Sequence, residues 1–99
     1  VDSITTSANT EDYVSMGMTA ALKLRQILSN TRSVLAIEAV AAAQALDFLA
    51  PLKTSARSQA ACTAIRAASP AIHEDRSLAG DFERVALTIA EGKVAAALD

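Results

Sequence analysis

The chain has 99 residues, 52% of them hydrophobic but only 3% aromatic, with 23 alanines and a formal net charge of −2 from nine basic and eleven acidic side chains. That length gives one small domain with a modest core, and alanine-rich, aromatic-poor composition favours closely packed helices over sheets or an aromatic-lined pocket. The near-neutral balance of scattered charges excludes a nucleic-acid surface, and the single cysteine, Cys62, excludes an internal disulfide.

In chain order, residues 1–11, opening VDSITTSANT, mix β-branched, Ser, Thr and Asn residues without helical period and read as a loop leading into a helix. From Asp12 to Ser29 the apolar residues Val14, Met18, Ala21, Leu24 and Leu28 recur at steps of three and four, which predicts one helix face. The run SNTR at 29–32 favours caps and turns over helix interiors, so a kink or short break is expected there. Residues 12–50 are thus read as a long helix pair.

The second member, VLAIEAVAAAQALDFLA at 34–50, carries only Glu38, Gln44 and Asp47 as polar residues. At 100° per residue, Gln44 lies about 240° and Asp47 about 180° around from Glu38. These three share no stripe, so the helix has no solvent face and is expected to be a buried central helix surrounded by others. A membrane span needs about 20 predominantly apolar residues, and three polar groups in a shorter run exclude it.

Pro51 ends that helix, and Thr54 or Ser55 can cap the next, SARSQAACTAIRAAS, which Pro70 closes. PAIHEDRSLAGD reads as a polar surface connection. A last helix near 78–91 has Phe82, Val85, Leu87 and Ile89 as its apolar content, with Gly92 suited to its C-terminal end. The shorter helices of 54–99 cannot wrap an apolar helix on all sides, so its remaining cover must come from other subunits or from sequence outside these residues. The fold class is all-α, with long antiparallel helices.

Conventional catalytic patterns are absent: no HExxH, no Cys/His metal spacing, no phosphate-binding glycine loop and no GxSxG. His73, the single histidine, sits beside Glu74 and Asp75 and reads as a solvated residue. Cys62 in its alanine-rich helix reads as a small core residue, and Met16 and Met18 as packing. Glu11 and Asp12 stand ahead of the first helix, where acids favour the positive end of the dipole and can satisfy free amides. The same position can hold a working carboxylate at a cleft. Both readings of Glu11 stand on residue chemistry alone.

TSANTEDYVSMG at 6–17, followed by KLRQILSNTRSVLAIEAVAAAQALD, closely resembles the C-terminal part of the histidine ammonia-lyases, of the aromatic amino acid lyase family. Their usual forms there are TSANQEDHVSMG and VLAIELLAAAQALD. The likeness is ungapped and continues through EDRSLAGD at 74–81, against an EDRPLAPD-like run. It implies membership of the central helical bundle of a larger homotetrameric, helical lyase that eliminates ammonia from L-histidine to give urocanate. Its electrophile is 4-methylideneimidazol-5-one, formed from an Ala-Ser-Gly triad that these 99 residues lack. The lone cysteine separately fits a reducing compartment, so the cytoplasm is the expected location.

The resemblance places the family's substrate-facing acid on Glu11, as catalytic and substrate-binding residue, with Thr10 beside it as a substrate-binding position. Ser7 and Asn9 fall to loop shaping, and Asp12 to structure. Thr10 replaces the usual glutamine and Tyr13 the usual histidine. Phenylalanine and tyrosine ammonia-lyases and aminomutases typically carry an amide at the Glu11 position, so the acid points to histidine. The implied prosthetic group has no binding residue here, and no metal or nucleic-acid partner is expected. Without the triad, the 99 residues alone are expected to be inert. The non-enzymatic alternative is a helical oligomerisation module in which Glu11 only caps the helix.

Overall fold

Strong helix formers set the local structure from Asp12 onward, and a computed structural model describes residues 12–99, with side chains from Met16 on. Every regular element among the described residues is an α-helix, as the composition predicts: α1 Asp12–Phe48, α2 Ala56–Ala68, α3 Ala79–Ala90 and α4 Lys93–Ala97. Internal contacts divide the chain into two units, Val1–Thr31 and Arg32–Asp99, and α1 passes through both.

In the first unit, AALKLRQIL at 20–28 is a run of residues that lose little freedom in a helix. Of the kink or short break expected at 29–32, the break is absent, since the helix runs through these residues. The Thr31 hydroxyl donates to the Ile27 carbonyl at 2.7 Å, and the Gln26 amide donates to Asn30 Oδ1 at 2.9 Å. Polar groups that elsewhere draw the backbone into a turn are here satisfied within the helix. The expected helix pair over 12–50 is therefore a single helix ending at Phe48.

In the second unit, α1 contributes Ala36, Val40 and Ala43 to a core completed by Ile65 of α2 and Val85 of α3. Spacings of four and three put those α1 residues on one stripe, and the two alanines allow close approach. Ile72, Phe82, Ile89 and Val94 pack around this centre, and α2, α3 and α4 touch one another. The helix expected to be buried all round is covered along this stripe alone. Val34, Leu35, Ile37 and Phe48 remain exposed, because helices of 13, 12 and 5 residues cannot enclose it.

The turns follow their residues. Pro51 lies in the turn that closes α1, and its bond to Ala50 is cis. Ser55, of the two expected caps, accepts from the Ser58 N–H at 3.2 Å. Gly92 adopts φ 75°, a left-handed conformation that glycine takes without a Cβ penalty. Its N–H donates to the Ile89 carbonyl at 3.0 Å, ending α3 and turning the chain into α4. The periodicity did not predict α4, since KVAAA is too short to show a period.

Candidate functional site

The residues predicted to face a substrate, Glu11 and Thr10, lie outside the described residues, as do Ser7 and Asn9. In sequence they directly precede the described start of α1. The first described side chain beyond them is the half-buried Met16, followed by the exposed Met18.

Two polar assemblies in the second unit escaped the reading of the sequence. One centres on Asp81 in the first turn of α3, only 3% exposed. Ser69, at the C-terminal cap of α2, donates to Oδ2 at 2.6 Å. Arg76 donates to both carboxylate oxygens, at 2.7 and 2.9 Å, and Arg84 donates to Oδ1 at 2.9 Å. Arg76 also reaches the Pro70 carbonyl at 3.1 Å, and Arg84 Nε the Ala68 carbonyl at 2.9 Å.

The hydrogen bonds from Arg76, then that from Ser69, then the charges of both arginines hold the Asp81 carboxyl well below the ordinary carboxylate range, against the opposing effect of burial. The bond to Asp81 raises Arg76 in turn. A carboxylate so saturated with donors is a poor proton acceptor, so Asp81 acts as a structural anchor and not as a general base. Its signal in the sequence is EDRSLAGD, where an acid lies five residues after an arginine; sequence alone does not show that this acid is the buried one.

The second assembly joins α1, α2 and the connection that follows α2. The Gln44 side-chain amide pairs with the backbone of Ile72: Nε2 donates to its carbonyl at 3.2 Å and Oε1 accepts from its N–H at 3.0 Å. Arg66 donates to Gln44 Oε1 at 3.3 Å and to the Ser69 carbonyl at 3.1 Å, and it forms an ion pair with Asp47. Gln44 and Asp47, which left α1 without a solvent stripe, are thus tertiary anchors. Glu38 is exposed.

Of the other candidates, the solvated reading of His73 holds, whereas Cys62, read as a core residue, lies outside the core, and Met18, read as packing, is exposed because no described residue covers that face of α1. His73, Glu74 and Asp75 are exposed, and Cys62 is a half-buried free thiol. Among the described residues no group of three His, Cys, Asp or Glu side chains could hold a metal ion, and no helix is long and apolar enough to cross a membrane. An open groove of about 330 Å³, lined by Ile37, Val40, Phe48, Ile72, Leu78 and Phe82 among others, is almost wholly apolar.

The family model described as aromatic amino acid lyase matches residues 1–67. The chain is 64% identical over 97 residues to a protein named histidine ammonia-lyase from Koribacter versatilis (strain Ellin345), covering 98% of this chain and 19% of that relative. Similar proteins of the same name come from Anaeromyxobacter sp. (strain K), 52% identical over 92 residues with 93% and 18% covered, and Symbiobacterium thermophilum, 48% identical over 99 residues with 100% and 20% covered. No solved structure matches the chain. The chain spans about one-fifth of the length of these curated relatives. With two-thirds of its residues inside the family model and its whole length aligned with such relatives, the chain belongs to the aromatic amino acid lyase family.

Proposed function

We propose that these residues are part of a longer enzyme that eliminates ammonia from L-histidine to give urocanate, with Glu11 as a substrate-facing carboxylate. The observation that carries this is the 64% identity over 97 residues to a relative named histidine ammonia-lyase, in a chain that carries an acid within TSANTEDYVSMG. Glu11 has two ways to serve: its carboxylate holds the substrate's amino or imidazole cation, or it exchanges a proton with one of them once its affinity is tuned by burial. Thr10 lines the same stretch. An acid at this position suits a polar, protonatable ring better than a phenyl ring.

The electrophile of the family, 4-methylideneimidazol-5-one, cannot arise from these residues, because no Ala-Ser-Gly run occurs among them. Its atoms come from elsewhere in the longer chain, and the 99 residues alone are inert. The exposed Met18, Leu22, Ile27, Val34 and Leu35 of α1 support assembly into a homo-oligomer, a tetramer by resemblance, since apolar faces of this extent are not left in water. The enzyme is assigned to the cytoplasm, consistent with the free thiol of Cys62 in these residues.

The test is urocanate formation by the full-length protein and by its Glu11→Gln variant. The variant is expected to lose about 10²- to 10⁴-fold in turnover with an unchanged melting temperature. Loss of stability with retained turnover would return Glu11 to a capping role. Preference for phenylalanine or tyrosine over histidine would reassign the substrate, and urocanate formation by the isolated 99 residues would overturn the inert-segment reading.

A further inference from the structure

Between α2 and α3 the backbone from Ser69 to Leu78 has no regular secondary structure, yet two unlike attachments hold it. At Ile72 it pairs with the Gln44 amide of α1. At Arg76 it grips Asp81 of α3 through both carboxylate oxygens. His73, Glu74 and Asp75, between these points, are exposed. Ile72 and Leu78 line the apolar groove together with Val40 and Phe48 of α1 and Phe82 of α3.

We propose that residues 70–78 are a strap, hinged at Leu78 whose carbonyl keeps accepting the Phe82 N–H of α3, that lifts when Arg76 leaves Asp81 while the helical frame stays folded, so that the apolar groove has one movable wall. The frame tolerates this because each anchor keeps a partner after the strap departs. Asp81 retains Ser69 from the end of α2 and Arg84 from its own helix; with Arg76, these are the groups that face it. Gln44 retains Arg66, itself paired with Asp47. No buried charge is left unpaired, which is the usual large cost of opening a polar core, and the Gln44 Nε2 donor released from the Ile72 carbonyl is met by the water that enters as the strap lifts.

The strap itself resists weakly. Its apolar members Ile72 and Leu78 are only half-buried, whereas Val40 and Val85 of the frame are buried. The departing Arg76 side chain is already 37% exposed, so it returns to water easily. Few buried apolar contacts and anchors replaceable by solvent are the marks of a locally opening segment.

Hydrogen exchange of the full-length protein, read by mass spectrometry at neutral pH, tests this independently of the proposed reaction. Arg76→Lys keeps the charge but loses the two-point grip; it should speed exchange in peptides covering 70–78 about tenfold and leave those from α2 and α3 unchanged. Asp81→Asn weakens the strap's grip and the frame's own Ser69 and Arg84 bonds together, so it should speed exchange in 70–78 and also at the end of α2 and the start of α3. Ser69→Ala removes a bond within the frame, so it should act on the end of α2 and the start of α3 more than on the strap. Equal acceleration across α2, α3 and strap in Arg76→Lys, or an unchanged strap, would overturn the proposal, as would a Ser69→Ala variant that loosens the strap alone.

Discussion

The two units use similar helical material to opposite effect. Along 16–31 only Met16 and Thr19 are even half-buried, and Leu22 is 57% exposed. In Arg32–Asp99, a helix no less apolar buries Ala36, Val40 and Ala43 against Ile65 and Val85. The difference lies in the neighbours. Pro51, Pro70 and Gly92 break the second unit into short helices that fold back on one another, whereas the first has no interruption among its described residues. Apolar content alone therefore does not decide burial; the apolar face of 16–31 has no cover among the described residues, and it is there that the proposed assembly would bury it.

This contrast can be broken experimentally, and the strongest probe is Leu22→Ala. In the full-length protein, where the first unit is expected to be covered, it should cost about 2–4 kcal/mol. In the isolated 99 residues, where the side chain is mostly exposed, it should cost less than about 0.5 kcal/mol. Equal costs in denaturant titrations of the two would mean that the face is not an interface. Val85→Ala should cost roughly 2 kcal/mol in both, since its cavity opens in a core the second unit builds for itself; a cost confined to the full-length protein would show that this unit also needs outside cover.

Acid sharpens the contrast further. Because the Asp81 carboxyl is held below its ordinary range, its contribution to the second unit is fully present above about pH 4 and declines as pH falls below that toward its native value. Unfolding followed from about pH 5 down to pH 2 should show this slope, and Asp81→Asn should flatten it. An unchanged slope in the variant would place the acid sensitivity elsewhere. The smallest effect belongs to a local signal: Ser55→Ala removes the side-chain cap of α2 and should lower stability by about 1 kcal/mol, visible as a small shift in denaturant midpoint.

Much of this was legible in the residues because it depends on local chemistry. Pro51 and Pro70 bounded their helices, Ser55 was one of two expected caps, and Gly92 terminated α3 for a conformational reason that needs no tertiary partner. The run at 29–32 misled because Thr31 and Asn30 found acceptors and donors on the preceding helical turn, which propensity does not weigh. Asp81 was passed over for a different reason. An acid in a polar stretch is expected to be solvated, and only the convergence of Ser69, Arg76 and Arg84 from three places in the chain makes its burial stable.

By itself the sequence determined that the chain is helical, where most of its breaks fall, and, through TSANTEDYVSMG and the segments after it, which family it joins. Those properties reside in residue identity and short-range spacing. The tertiary structure decided which stripe of α1 is covered, turned Gln44 and Asp47 from interruptions of an apolar helix into anchors, and made Asp81, at the end of the otherwise largely exposed EDRSLAGD, the buried centre of a clasp. Each of these depends on groups distant in sequence arriving at hydrogen-bonding or contact distance, which no local pattern encodes.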